Sequence, residues 1–335
     1  MFTRPDDLPD AVLIEAISTR WALEVVSLGY RAVGFGSHHW DAADRRGRRW
    51  FVTVDDLESR LWSPGESVEI AFGRLEAALA TARAAGDAGA RFVVGPVVDG
   101  DGAVVARVTG RYALALYPSI DGRTHRWGDD LSASDRLAVA ELMATLHGSS
   151  ADVTRSATTD GFVLPQRDAL TRALGELGRP WDEGAFSEPA RALLSTHRGA
   201  VERMLVDYDR RADEARARAE PMVLTHGEPH PGNLILTATG WVLVDWDTAM
   251  MAPPERDLWM VDAGDGRAIA AYEEATGRAV VPSVLDLYRL RWDLADLCLY
   301  VALFRAPHAA TADAEESWRN LNACLDHLGS MSSGL

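Results

Sequence analysis

Strand-forming segments crowd the front of this 335-residue chain and helical spacing fills the rest. That order points to an α+β protein of two lobes rather than an alternating α/β sheet. After a short leading helix at 8–20, WALEVVSLGYRAVGFGSHHW runs as strand, Gly-rich turn and strand, RRGR at 45–48 is a turn, and RWFVTVDDL at 49–57 is a strong strand. From Glu66 to Ala85, Val68, Ala71, Phe72, Leu75, Ala78, Leu79 and Ala82 recur at helical spacing. Short strands follow at 92–94, 103–108 and 111–117. Residues 1–118 therefore read as a small, mainly antiparallel sheet with one inserted helix.

Past YPSIDG (117–122) the character changes, and residues 119–330 read as a larger helical lobe. Ser132 is placed to cap a helix carrying Val139, Leu142, Met143 and Leu146 and stopped at Gly148. Helices are expected at 166–177, from Ser187 to about residue 219, and from Asp257 to Leu328, with the closing SMSSGL frayed. LILTATGWVLVDW interrupts them as a hairpin. A ligand cleft between the lobes is the default expectation.

Composition removes some function classes. No apolar run approaches the ~18–20 residues of a membrane span, and the acidic start has no signal-peptide core. Two cysteines, Cys298 and Cys324, fit reduced, buried thiols of a cytoplasmic protein. The net charge of −16 disfavours nucleic acid and suits a cationic ligand, besides promoting solubility. All 34 basic residues are arginine. Without a lysine, neither a P-loop nor a Schiff-base mechanism is available.

Chemistry concentrates in LTHGEPHPGNLIL, Leu224 to Leu236. A zinc reading would use His226, Glu228 and His230, but Pro229 and Pro231 keep the two imidazoles off one regular helical face. The other reading is a phosphoryl-transfer loop. Glu228 would accept a hydroxyl proton, and Asn233 and Asp245, a hairpin's length apart, would hold Mg²⁺.

HGEPHPGN followed by VLVDWDTAMMAPPERDL resembles the aminoglycoside phosphotransferase family, whose fold is similar to that of protein kinases; the pattern is closest in appearance to the spectinomycin phosphotransferase branch. ALALYPSIDGR (113–123) looks like that family's hinge, LMATLHG (142–148) like its first long helix, and GFGS (34–37) lies where its phosphate-covering loop belongs. The resemblance implies transfer of the γ-phosphoryl of ATP or GTP, with Mg²⁺, to a hydroxyl of an aminoglycoside-like or other small acceptor, cationic ones included, and with it a place in antibiotic resistance. It assigns the hydroxyl to Glu228, the metal to Asn233 and Asp245, the nucleotide to Gly34, Gly36, Ser37, Thr53 and Tyr117, and the acceptor's ammonium groups to Asp293 and Asp296. His226, His230 and Asp247 support the loop.

Each of these residues also has a plainer reading. His226 and His230 are then loop residues, Asp247 caps the turn before Pro253, and Asp257 opens a helix and bonds the catalytic loop. His38 and His39 are exposed strand side chains, and Asp293 and Asp296 pair with Arg289 or Arg291. Two positions depart from the family pattern. Glu228 stands where the family usually has Asp, and Thr53 where the strand lysine belongs. Arg60 and Arg74 lie nearby in sequence as substitutes. A kinase-like binding protein that has lost efficient transfer is the alternative motivated by the missing lysine.

Overall fold

A computed structural model describes residues 1–218 and 221–332 of the chain. Five antiparallel strands, β1 (Val25–Arg31), β2 (His38–Asp44), β3 (Arg49–Asp56), β4 (Ala106–Arg107) and β5 (Tyr112–Pro118), form a sheet in the order β1-β2-β3-β5-β4. Alternation divides the residues between its two faces. Trp40, Val52, Val54, Leu114 and Leu116 pack on the leading helix α1 (Asp10–Trp21), whose Leu13 and Ile17 are fully buried. Each such side chain contributes roughly 1.5–3 kcal/mol, so α1 is an integral layer of the lobe. The opposite face carries Phe51, Thr53 and Asp55 of β3, with Thr53 paired to His39 and Ala115, and Phe51 to Tyr117.

Helix α2 (Val68–Asp87) lies against that second face, and its Leu75, Leu79 and Ala82 belong to one core with Met143, Leu243 and Trp246. The inserted helix thus shares apolar contacts with both lobes. The expected strand at 92–94 is reduced to a single bridge, Val93 to Leu243.

The helical region comprises α3 (Ala133–His147), α4 (Arg167–Gly175), α5 (Ser187–Arg218), α6 (Glu255–Val261), α7 (Arg267–Thr276), α8 (Pro282–Phe304) and α9 (Ala312–Ser332). Ser132 caps α3 by accepting from the Asp135 amide at 3.2 Å. The last helix runs on to Ser332, past the expected fraying point; 333–335 and residue 219 lie outside the described residues. Cys298 and Cys324 are buried and unbridged. Among the described residues no helix is long and apolar enough to cross a membrane.

Three minor strand pairings sit among these helices. The expected hairpin is β8 (Leu234–Thr237) with β9 (Gly240–Leu243), and β6 (Arg123–Thr124) adds to its edge. The third joins β7 (Val223–Thr225) to β10 (Met250–Ala252). The segment 226–233 between β7 and β8 is thereby fixed at both ends, and Asp245 follows β9 closely.

Candidate active site

The segment 226–233 is held from behind by buried polar groups. Asp257 of α6 accepts from the His226 amide at 2.9 Å, the Gly227 amide at 2.6 Å and His147 Nε2 at 3.1 Å. Arg256 donates to Thr225 Oγ1 and to the Thr248 carbonyl. Gly227 has φ +101, and a Cβ there would overlap the Arg256 guanidinium; glycine is required on both counts. Both His226 nitrogens are engaged, Nε2 donating to the Val244 carbonyl at 2.9 Å and Nδ1 accepting from the Glu228 amide at 3.1 Å. Burial pushes its pKa down to about 4. His226 is therefore a neutral brace of the loop and has no lone pair left for zinc.

Glu228 is consequently aimed rather than free. Desolvation would raise its carboxyl, but His230, whose Nε2 lies at 3.7 Å, and the nearby Arg256 outweigh that and hold it below its ordinary value. An ionised carboxylate on a braced loop is able to accept a proton. Asn233 turns its amide nitrogen to the Glu228 carbonyl at 3.0 Å, and among the described residues nothing donates to its Oδ1. Asn233 and Asp245 line the same cleft.

Asp245 adopts φ +67, a left-handed conformation uncommon for a non-glycine residue. Its carboxylate is open to the cleft and has no hydrogen-bonding partner among the described residues. Desolvation by the surrounding walls, then the charges of Asp247 and Glu228, raise its pKa well above the ordinary value. A strained carboxylate repelled by its neighbours is suited to a cation. Among the described residues no three His, Cys, Asp or Glu side chains form a metal cage. The donor set, one carboxylate and one amide oxygen beside a cleft, fits Mg²⁺, which takes its remaining ligands from substrate phosphate and water.

The cleft has a volume of ≈ 2150 Å³ and is lined by both lobes, with Gly34, Gly36, Thr53 and Tyr117 on one side and Glu228, Asn233, Asp293 and Asp296 on the other. That exceeds the ~300–1,000 Å³ of a single-ligand pocket and leaves room for two. Gly34 and Gly36 both have positive φ, and Phe35 between them touches Tyr300 of α8 with ring centroids 6.2 Å apart. Ser37, by contrast, is buried behind the loop, its hydroxyl donating to Asp55 at 2.7 Å. His38 is also buried, near the Tyr30 hydroxyl, and His39 stacks on Phe51, so neither is the exposed strand residue expected.

The cation that sequence reasoning could not place is Arg60. Its guanidinium pairs with Asp55 of β3 at 2.6 Å and with Asp247, and reaches Ser37 Oγ at 3.2 Å. Asp247 is thus a partner for arginine rather than the cap of a turn. Arg74 stays behind, bonded to Glu66 and to the Arg60 carbonyl. The acceptor side also differs from the plainer expectation. Arg289 pairs with Asp286 and Arg291 with Asp160, leaving Asp293 to His327 at 3.2 Å. Among the described residues Asp296 meets no cation or donor, and desolvation pushes its pKa up to about 7. Trp127, half exposed, stacks parallel on Trp292 at 4.9 Å beside it; no pattern in the sequence singled out Trp127.

Comparisons with known proteins agree with this geometry. The sequence pattern of the phosphotransferase enzyme family matches residues 41–292. Protein StrN of Streptomyces griseus is 28% identical over 249 residues, covering 71% of this chain and 73% of that protein. Among solved structures, a spectinomycin phosphotransferase in complex with ADP and spectinomycin superposes with a TM-score of 0.70 at 14% identity, over 96% of this chain and 97% of the other. An amicoumacin kinase in complex with AMP-PNP and Ca²⁺ gives 0.57 at 12% identity, over 96% and 94%. Choline kinase LicA from Streptococcus pneumoniae gives 0.56 at 13%, over 95% and 99%. At such identities the structures establish the shared kinase-like fold.

Proposed function

Because the chain belongs to the phosphotransferase enzyme family, we propose that it moves the γ-phosphoryl of a nucleoside triphosphate to a hydroxyl of a small, cationic acceptor. The observation that carries this reading is the convergence of Glu228, Asn233 and Asp245 on one edge of a cleft large enough for two ligands. In the reaction, the acceptor oxygen forms a bond to the γ-phosphorus as the bond to the β,γ-bridging oxygen breaks. The nucleoside diphosphate departs, and the hydroxyl proton passes to Glu228. Asn233 Oδ1 and Asp245 would hold Mg²⁺, which neutralises charge on the transferring group when bound. Gly34 and Gly36 cover the phosphates, Thr53 and Tyr117 border the nucleotide, and the sheet lobe, residues 1–118, supplies that side of the site.

The acceptor's positive charge is inferred from Asp296, a partly buried carboxylate without a partner among the described residues, and from the parallel Trp127–Trp292 face next to it. An ammonium group would meet the first and an apolar ring face the second. The neighbours bound to spectinomycin and to amicoumacin make an antibiotic acceptor one member of this class.

Substrate-dependent production of nucleoside diphosphate across a panel of hydroxylated amines tests the reading. Turnover of ~1–100 s⁻¹ is expected from the native chain. Asp245→Ala is expected to lose at least ~10²–10³-fold with its fold intact. Unchanged turnover in that variant would refute the assignment. The second reading, a binding protein that no longer transfers, is motivated by the absence of lysine and predicts acceptor binding with no turnover at all.

A further inference from the structure

Phosphoryl transfer sets a charge problem that this cleft makes acute. Asp245, Asp247 and Glu228 line it with Asp55 buried close behind, and a nucleoside triphosphate brings further negative charge. The usual solution is a lysine ammonium on the strand, and this chain contains none. Most other arginines along the cleft are committed elsewhere. Arg74 is bound to Glu66, Arg111 to Asp56, Arg291 to Asp160, and Arg256 is buried beneath the catalytic loop. Arg126, which lines the cleft next to Trp127 on the helical side, is exposed and makes no side-chain ion pair among the described residues.

Arg60 is placed differently. Its Nε and Nη2 are occupied by Asp55, Asp247 and Ser37. Its Nη1 makes no hydrogen bond among the described residues, although the side chain is only 21% exposed and lines the cleft. Asp247 is two residues beyond Asp245, and the Arg60 charge acts on Asp245 as well, so the guanidinium lies near the carboxylate assigned to the metal. The position is braced from below. Arg74 Nη2 donates to the Arg60 carbonyl at 2.8 Å and its guanidinium lies over Trp62 at 4.3 Å, while Glu66 accepts from the Trp62 amide at 2.6 Å.

We propose that Arg60 is the phosphate-holding cation of this site, its open Nη1 edge donating to the phosphate chain of the bound nucleotide. Asp55, Asp247 and Ser37 act as positioning residues that hold the guanidinium in one orientation. The charge comes from the loop after β3 instead of from β3 itself, and its acidic partner stands on the strand. A planar guanidinium can satisfy two carboxylates on one edge and still present another, which a lysine cannot. The inference rests on the phosphotransferase reading.

The test separates phosphate recognition from folding. Affinities for Mg-ATP, Mg-GTP and the bare nucleosides are measured by calorimetry for the native chain, Arg60→Gln and Arg60→Lys. The double variant Asp55→Asn/Arg60→Gln removes the buried charge together with one counter-charge, and protects the fold should the single change destabilise it. Arg60→Gln and the double variant are expected to bind the triphosphate about 10–100-fold more weakly and the nucleoside within about twofold of the native chain; Arg60→Lys is expected to recover part of the loss. Native affinity for the triphosphate in Arg60→Gln overturns the proposal, as does an equal loss for nucleoside and triphosphate, which would make Arg60 a structural tie. If the native chain turns over and Arg60→Gln binds normally, this inference fails alone. If the native chain binds neither nucleotide, the phosphotransferase reading fails with it.

Discussion

Replacing Asp296 by asparagine should stabilise the protein, and only above a particular pH. The carboxyl sits on α8 with no cation or donor beside it among the described residues. Desolvation, with smaller contributions from Glu228 and Asp293, lifts its pKa from 3.8 to about 7. Below pH ~4 it is protonated in both the folded and the unfolded chain and has no effect on stability. Between ~4 and ~7 the folded protein keeps a proton that the unfolded chain has released, so stability falls as pH rises. Above pH ~7 the ionised carboxylate is present in both states and the full penalty applies. A gap of about 3 pH units at 1.36 kcal/mol each amounts to about 4 kcal/mol. The asparagine side chain has nearly the same shape and does not titrate. In thermal melts from pH 4 to 8 the two proteins should coincide near pH 4 and diverge by roughly 5–10 °C at pH 8. Asp245 and Asp247 also have raised pKa values, but they act in both proteins and cancel in the difference. A difference in Tm that stays constant across this range would refute the reasoning, because it would mean that the substitution acts through packing and not through charge.

Two further outcomes follow from the rear of the catalytic loop. Gly227→Ala combines a left-handed backbone with overlap on a buried guanidinium and should cost about 2–4 kcal/mol in denaturant unfolding; a change under ~0.5 kcal/mol would show that the loop adjusts freely. Asp257→Ala strands the amides of His226 and Gly227 and the His147 ring, and should cost about 3–5 kcal/mol, while Asp257→Asn, which keeps acceptor capacity, should lose less in the same melts.

What is readable in the sequence and what is not divide by the range of the interaction. Helical spacing places α2, α3 and α5 to within a few residues, because each pattern is local and long. The hairpin after Asn233 is equally local. The strands β6, β7 and β10 have only two or three residues each and depend on partners far along the chain, so no periodicity marks them. The loop residues are legible as a group because glycine and proline punctuate them. Arg60 is visible as a nearby cation, but its partner Asp247 is 187 positions away. The plainer reading of Asp296 fails for a similar reason. Arg289 and Arg291 are near it in sequence, but one pairs within its own helix with Asp286 and the other crosses to Asp160. Ser37, read as part of a phosphate loop, faces inward because its hydroxyl is bonded to Asp55, 18 positions further along the chain.

The bracing of the loop has a consequence for side reactions. Glu228, Asn233 and Asp245 are anchored to the helical region through Asp257, Arg256 and the hairpin, whereas Ser37, Asp55 and Arg60 belong to the sheet side. The two half-sites meet through the Arg60–Asp247 pair. On the proposed function, a widening of the cleft along that contact would part the pair and draw Arg60 away from Glu228. Water entering such an open cleft would then meet a nucleotide whose activating groups are split between two walls, an arrangement that would limit wasteful hydrolysis while no acceptor is in place.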